Sequence, residues 1–306
     1  MEEISSRSLV TGNPVAIAHA VIGDAWSQLI LREAFYGVRR FNDFAESLGA
    51  PRTVLSGRLG RLLKAGVLRS AVIPGRKRAE YRLTDMGLDL FGTAIMQGLW
   101  EAEHAPASVA EATPTLVSRS DGSVVMPVVL DGPFGRPIDP HDVVYVAKPT
   151  LKAQPTPSLR RMSASPISTT RPTIHRSVEI VGDYWSWAVV GCAFLRIRRF
   201  DEMLEATGMA PNVLSDRLAR LGAAGVVRRT QYCDSPPRYE YRLTRAGLAL
   251  HPMVMAMHGW SERWLCGIDN SPVELYRRGA GTRMIPVVCD AQTGRPIRAY
   301  DVRWQD

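Results

Sequence analysis

The stretch "PRTVLSGRLGRLLKAGVL" occupies positions 51–68, and "PNVLSDRLARLGAAGVV" at 211–227 is nearly the same text. In both, apolar residues recur at intervals of three and four, which predicts an amphipathic helix. A proline at the start and a glycine just after the last apolar position are ordinary signals for the beginning and end of a helix. The sequence therefore predicts the same kind of helix in each half of the chain.

The flanking sequence is repeated as well. "GDAW" at 23–26 returns as "GDYW" at 182–185, "VRRFNDF" returns as "IRRFDEM", and "AEYRLTDMG" returns as "YEYRLTRAG". Motifs that return in the same order and at nearly constant spacing indicate duplication of a whole structural unit. We predict a first domain at 1–147 and a second at 178–306, joined by a basic, Pro/Ser/Thr-rich extended linker at 148–177.

Each unit is predicted to contain a helix-turn-helix followed by a hairpin. Apolar stripes from Trp26 to Gly37 and from Phe41 to Leu48 precede the helix quoted above, which gives two helices separated by a tight turn. The segments "VLRSAVIP" and "AEYRLT" then alternate like strands around "PGRKR", as the wing of a winged helix does. One helix is expected from Thr84 to His104, and then a small β ribbon that closes the domain, with a place in an interface as the alternative. The predicted fold class is α+β, mainly helical, with two tandem winged helix-turn-helix domains, each followed by such a ribbon.

Taken together, these motifs resemble the HxlR-type winged helix-turn-helix regulators of bacteria, over roughly 20–104 and 179–266. The resemblance implies transcription regulation and DNA binding. Members are usually single-domain homodimers joined through their terminal helices, so two copies in one chain suggest a fused pseudo-dimer. Some members sense thiols through a cysteine near the N-terminus, whereas the first cysteine here is Cys192. The ribbons hold only Cys289, so zinc ligands are not expected in them.

The charge distribution indicates which surface would meet a polyanion. The net charge is +8, and from Arg39 to Arg82 there are 11 basic and three acidic residues, against eight and six from Arg198 to Arg242. Side chains on the outward face of the repeated helix would enter a DNA groove, and wing residues would contact the backbone. The candidate DNA-binding residues are Arg39, Arg40, Arg52, Thr53, Ser56, Gly57, Arg58, Arg61, Lys64, Arg76, Lys77 and Arg78 in the first copy, and Arg198, Arg199, Asn212, Ser215, Asp216, Arg217, Arg220 and Arg238 in the second.

Small-molecule binding is a further possibility that the tryptophans raise. An aromatic pocket for a small hydrophobic or aromatic effector is expected if the first and last helices of the units meet. Its candidate lining is Trp26, Trp100, Trp185, Trp187 and Trp260. Ordinary packing in a core or an interface is the alternative, and the sequence favours it.

The function predicted from the sequence is a sequence-specific DNA-binding transcriptional regulator, a repressor, acting on double-stranded DNA in the cytoplasm. One alternative is a ligand-sensing or protein-interaction scaffold in which only one copy engages DNA. Another is an architectural binder without sequence preference, and a homodimer is compatible with each. No enzyme motif, cofactor motif or metal-ligand spacing is present, so neither catalysis nor a cofactor is expected. No apolar run reaches the roughly 18 residues of a membrane helix, and the N-terminus lacks secretory-signal features.

Overall fold

A computed structural model describes residues 5–74, 79–104, 115–149, 152, 177–178, 180 and 182–305. It begins with two helices that the sequence analysis did not anticipate, α1 (Ser6–Thr11) and α2 (Pro14–Ile22). The side chain of Asn13 accepts a hydrogen bond from the backbone N–H of Ala16 at 2.9 Å, and Pro14 occupies the first helical turn. These are standard helix-start signals, so the start of α2 was readable from the sequence.

Both copies then follow the same element order. The first contains α3 (Ala25–Phe35), α4 (Phe41–Leu48), α5 (Arg52–Lys64), β1 (Leu68–Ala71), β2 (Glu80–Leu83), α6 (Asp85–Leu88) and α7 (Phe91–His104). The second contains α8 (Tyr184–Phe194), α9 (Phe200–Thr207), α10 (Pro211–Ala223), β6 (Val227–Asp234), β7 (Pro237–Leu243), α11 (Arg245–Leu248) and α12 (His251–Ser261), then a π-helical turn (Glu262–Cys266) and a 3-10 turn (Ile268–Asn270). The mixed helix-and-strand class predicted from the sequence is confirmed.

In each copy, a left-handed residue is required in the turn before the second helix of the helix-turn-helix, which in this motif is termed the recognition helix. Gly49 and Gly208 have φ of +57° and +69° and end α4 and α9. A side chain in this region of backbone space is strained, so glycine is the residue that fits. The recognition helices α5 and α10 then pack their leucines inward, and Leu55 and Leu214 are fully buried.

The prediction of one helix from Thr84 to His104 was wrong, because this segment forms α6 and α7 with a break between them. The Thr84 hydroxyl caps α6 and also donates a hydrogen bond to the carbonyl of Gly66 at 2.6 Å. A Cβ at Gly87 would lie 2.2 Å from the carbonyl oxygen of Val67, so α6 is pressed against the start of the wing. This tertiary contact fixes the direction of α6, and α7 starts anew to turn its apolar face towards the core.

Strands lie in both segments that follow the last helix of a copy, but most of them pair with a strand of the other copy. They are β3 (Thr115–Ser118), β4 (Pro127–Asp131), β5 (Val143–Ala147), β8 (Val273–Arg277), β9 (Arg283–Met284), β10 (Pro286–Asp290) and β11 (Val302–Gln305). Strand β4 pairs with β10, β3 with β11, and β5 with β8, all antiparallel and all between the two copies. The backbone hydrogen bonds of the ribbons therefore join the copies.

Contacts between the copies are reciprocal. The indole Nε1 of Trp100 donates to the carbonyl of Ala246 at 2.8 Å, and Nε1 of Trp260 donates to the carbonyl of Met86 at 2.9 Å. These are the same contact with the copies exchanged, and the pairing of β4 with β10 is likewise symmetric about Val129. Both copies thus use the same surface, as the two partners of an isologous interface do.

Within the described ranges, no single helix combines the length and apolar character that crossing a membrane needs. The bent pair Pro14–Ile22 and Ala25–Phe35 passes that test by length and composition only.

Candidate nucleic-acid interface

The outward face of α5 is polar, small and open. Thr53, Ser56, Gly57 and Lys64 are all exposed, on the side of α5 opposite its buried leucines. A Cβ built on Gly57 would meet no atom within 4 Å, so none of the residues that the structure describes covers the middle of this face. A helix surface of this kind can approach a duplex closely.

Two arginines at the edge of this face are held by one carboxylate. Asp24 caps α3, and its Oδ1 also accepts a hydrogen bond from Nε of Arg58 at 2.8 Å. Nη1 of Arg61 lies 3.9 Å from the other carboxylate oxygen, and its Nη2 donates to the carbonyl of Ala20 at 3.2 Å. The side chain of Arg58 is 24% exposed and that of Arg61 is 47% exposed. Arg58 thus fastens the recognition helix to α3, and Arg61 remains accessible beside the outward face.

The corresponding face of α10 carries an acid at its centre. Asn212, Ser215 and Asp216 are exposed. Oδ2 of Asp216 accepts hydrogen bonds from Nη1 of Arg217 and is 3.2 Å from Nε of Arg220. Arg217 also donates from Nε to Asp183 at 3.1 Å, as Arg58 does to its own capping aspartate. The positive charge of this second face is therefore partly neutralised within the protein.

The "RRF" segments lie beside the wings. The backbone carbonyl of Arg39 accepts from the N–H of Tyr81 at 2.8 Å, and that of Arg198 accepts from Tyr241 at 2.8 Å. The guanidinium of Arg39 turns inward and donates to the carbonyl of Val38 at 3.0 Å. Burial, together with the charge of Arg82 nearby, lowers the pKa of Arg39. The side chain of Arg39 is therefore half-buried and stabilises the end of α3.

Three more candidate arginines are exposed and contact the protein at its edge. Arg40 lies 3.9 Å from Glu80, and Arg199 lies 3.7 Å from Glu202. Arg52 stacks over an aromatic ring, with its guanidinium carbon 5.0 Å from the centroid of Phe41. Arg40, Arg199 and Arg52 lie at the starts of α4, α9 and α5, respectively, on the side of the unit where the recognition helix begins.

The wings carry arginines that the sequence analysis did not select. In the first wing Arg69 stands directly opposite Arg82, and in the second Arg228 stands directly opposite Arg242. All four side chains are exposed. Like charges facing each other across a hairpin are destabilising, so their presence at the same position in both wings is consistent with a polyanion partner. Strand alternation was the signal that could have identified them, because a buried Leu68 places the next residue outward.

The predicted wing tip of the first copy, Arg76, Lys77 and Arg78, lies outside the described residues. In the second wing Arg238 is exposed near the tip, opposite Cys233. A neighbouring arginine, Arg229, stacks 3.5 Å from the ring centroid of Tyr239.

The tryptophans predicted to form an effector pocket are not gathered into one site. Trp26, Trp100 and Trp260 are buried, and the last two use their indole N–H groups in the contacts between copies. Trp185 is half-buried, with its ring edge-on to Tyr184. Trp187 lines a cleft between α2 and α8.

Two of the cysteines are buried. Burial raises the pKa of Cys192 to about 12 and that of Cys289 to about 11, so both thiols are protonated at neutral pH. Among the residues whose positions are described, no three His, Cys, Asp or Glu side chains are grouped as metal ligands would be.

The chain is similar in sequence to known helix-turn-helix proteins. A family model described as HxlR-like helix-turn-helix matches residues 21–108 and 180–268. An uncharacterized HTH-type transcriptional regulator of Mycobacterium tuberculosis is 44% identical over 96 residues, which is 31% of this chain and 61% of that protein's length. The uncharacterized HTH-type transcriptional regulator YvaP of Bacillus subtilis is 33% identical over 95 residues, 31% of this chain and 88% of that protein. A crystal structure described as a candidate transcription factor matches 50% of this chain and 94% of its own, with 31% identity and a TM-score of 0.34.

Proposed function

The chain belongs to the HxlR-like helix-turn-helix family, and we propose that it is a sequence-specific DNA-binding transcriptional repressor acting as a fused pseudo-dimer. The observation that carries this proposal is the open outward face of α5, flanked by the exposed Arg61 and Lys64. A major groove about 12 Å wide admits a helix, and arginine can pair with guanine there through two hydrogen bonds. Phosphate contacts from the wing would fix the register of the helix.

The reciprocal contacts between copies support the pseudo-dimer. In a dimer of this class, symmetry places two recognition helices on half-sites about one helical turn, roughly 34 Å, apart. One chain with two such helices would occupy both half-sites at once. It would therefore cover a continuous stretch of duplex, which supports repression by exclusion of other proteins.

The proposal is tested by selecting bound DNA from a random pool with the full chain. We expect enrichment of a motif with two unequal half-sites separated by about one turn. Binding without enrichment, together with a steep loss of affinity as salt rises, would establish an architectural binder instead. If the chain retains no DNA, the result favours the ligand-sensing or protein-interaction scaffold instead.

Matched alanine substitutions in the two copies then test whether α5 contributes more to DNA binding than α10. On the selected operator, we expect Arg61→Ala to weaken binding about tenfold or more, because one base contact is worth ~1–3 kcal/mol. Arg220→Ala should cost less than about threefold, since Asp216 already occupies that guanidinium. The pair Thr53→Ala and Asn212→Ala, near the start of each helix, compares the two faces without changing charge. Thermal melts confirm that each variant is folded, and equal losses from both copies on a palindromic operator would contradict the asymmetry.

A further inference from the structure

The two N-terminal helices precede the first copy in the sequence, but they pack mainly on the second. Helix α1 packs on α9 and α8, and α2 packs on α12. The residues before α8 make the reciprocal crossing. The N–H of Ser177 donates to Oε2 of Glu101 in α7 at 2.7 Å, and Nε2 of Gln97 donates to the Ser177 hydroxyl at 3.2 Å. Each copy therefore extends an arm over the other, and α1 is the part of the first arm that reaches the second helix-turn-helix.

Helix α1 places an arginine against the turn of that motif. Arg7, the second residue of α1, is exposed. Its guanidinium lies against Gly208, because a Cβ built on this glycine would be 2.9 Å from Nη2, 3.0 Å from Cζ and 3.4 Å from Nε. A side chain at this position would collide with the arginine as well as strain the left-handed backbone. The turn glycine of the second unit thus also makes room for a side chain that comes from the first.

This turn is next to the part of α10 that would enter a DNA groove. Gly208 and Ala210 are exposed, and so are Pro211 and Asn212 at the start of α10. Four residues separate Gly208 from Asn212, so their Cα atoms are at most about 14 Å apart. The N-terminal residues of a recognition helix contact base edges, in a major groove about 12 Å wide. A cation held at the turn is therefore within reach of the phosphates that flank this groove.

The charge of Arg7 is available to such a phosphate. Among the residues that the structure describes, no carboxylate pairs with its guanidinium. Arg217 and Arg220 differ in this respect, since both bind Asp216 on the outward face of α10. Arg7 thus brings to the second unit a positive charge that the unit's own acid does not neutralise.

The first unit lacks the same arrangement. Gly49 is its turn glycine, and a Cβ built there would meet no atom of the described residues within 4 Å. The offset that carries "GDAW" at 23–26 onto "GDYW" at 182–185 also carries Arg7 onto Pro166, so the repeat contains no matching arginine. The extra cation is therefore found at the turn of the unit whose own recognition helix is less basic.

We propose that Arg7, from the arm of the first copy, binds a DNA phosphate at the second half-site. This contact rests on the proposed DNA-binding function and adds to it a residue from outside the helix-turn-helix that it serves. A purely structural role is the alternative, because a cation beside the last carbonyls of α9 is favourable by itself. That role requires no phosphate, so the two can be separated.

The salt dependence of operator affinity, measured with the full chain, tests the contact. Arg7→Ala should reduce the slope of log affinity against log salt by about 0.9, because one phosphate contact is lost. If parent and variant converge near about 1 M salt, this corresponds to roughly eightfold weaker binding at about 0.1 M. Arg7→Lys keeps the charge and should keep the slope. Arg278→Ala is the matched control and should leave the slope unchanged, since Arg278 is an exposed ribbon arginine that donates to the carbonyl of His141 at 2.9 Å.

Ethylation of single operator phosphates locates the contact. For the parent, ethylation of a phosphate beside the second half-site should hinder binding. For Arg7→Ala, the same ethylation should no longer matter, while interference at the first half-site persists. A structural role would instead weaken binding without removing one particular phosphate from the pattern, and melting temperatures show whether the arm still stabilises the fold.

Several results would overturn the contact. They are an unchanged salt slope in Arg7→Ala, an equal reduction in Arg278→Ala or in Arg7→Lys, and an ethylation pattern that Arg7→Ala shares with the parent. A parent chain that binds no DNA would refute the proposed function and this contact with it. DNA binding by the parent, combined with any of the results above, would refute the contact alone.

Discussion

Asp24 in the first copy and Asp183 in the second both cap the first helix of their unit, and each also binds an arginine of the recognition helix, Arg58 at 2.8 Å and Arg217 at 3.1 Å. At the residue immediately before this arginine, the copies differ. The outward face of α5 has a glycine where that of α10 has Asp216, which draws the neighbouring arginines to itself. The ion pair that orients the recognition helix is therefore the same in both copies, whereas the outward surface of that helix differs.

The interior shows a second difference of this kind. Phe91 begins α7 and packs on Phe35 with ring centroids 5.2 Å apart. Its counterpart His251 begins α12 and packs on Phe194 at 5.5 Å. A symmetric homodimer must make every change on both sides at once. A duplicated chain can place an ionisable ring in one core and leave the other core apolar.

The largest expected effect comes from restoring that symmetry with His251→Phe. His251 is 1% exposed, and burial lowers its pKa to about 4, with Asp139 opposing the shift and His141 adding to it. Between pH 6.5 and 4 the unfolded chain binds a proton that the folded chain excludes, so the histidine costs stability as the pH falls through this window. The difference between a pKa of 6.5 in the unfolded chain and about 4 in the folded chain corresponds to a loss of roughly 3 kcal/mol of stability, nearly all of it present at pH 4.

Urea unfolding at pH 7 and pH 4.5 measures this effect. The variant should lose less stability on acidification than the parent, by about 2–3 kcal/mol. Phe91→His, the reverse graft in the first copy, should add a similar acid sensitivity. Identical pH dependence in the parent and His251→Phe would refute the buried neutral histidine.

These differences also show which parts of the molecule a sequence can predict. The leucine stripe of α5 and the left-handed Gly49 are local patterns, and the structure has both where they were expected. The bond between Asp24 and Arg58 joins residues 34 positions apart, and helix periodicity contains no information about such a pair.

The ribbon strands show a different limit. The motifs that form β4 and β10 have the same apolar pattern, so either could pair within its own copy or with the other. The choice depends on how α7 and α12 bring the copies together, which is a tertiary event. For the same reason, the sequence identified the tryptophans as aromatic residues of the helices but not the cross-copy carbonyls that accept from Trp100 and Trp260.

An intermediate effect is expected from exchanging the residues at the centre of the two faces. Gly57→Asp should weaken operator binding about tenfold, or ~1.4 kcal/mol, because the carboxylate would face phosphates and compete for Arg61 four residues later. The Cβ of the new side chain meets no atom within 4 Å, so the fold should tolerate it. Asp216→Gly should strengthen binding by releasing Arg220. Fluorescence anisotropy at one fixed salt concentration compares both with the parent, and tighter binding by Gly57→Asp would reverse the assignment of the stronger face.

The smallest effect is expected at the base of the wings, where both copies keep the same pair of arginines. Arg69 and Arg228 occupy the same register, each opposite another arginine. Each opposite arginine also forms an ion pair with a glutamate on its own strand. Arg82 lies 3.3 Å from Glu80, and Arg242 pairs with Glu240 in the same way.

If Arg69 and Arg228 each contact one phosphate, Arg69→Ala and Arg228→Ala should each reduce the slope of log affinity against log salt by about 0.9. Each should also leave folding stability unchanged or raise it by up to about 1 kcal/mol, because a like-charge pair is removed. Arg119→Ala in the ribbon, whose Nε donates to the carbonyl of Val302, serves as the basic control and should leave the slope unchanged. If only Arg69→Ala reduces this slope, the second wing does not contact the duplex. The asymmetry between the recognition helices then extends to the whole second unit. Equal losses would confine the divergence to the recognition helices, with both wings holding the same DNA.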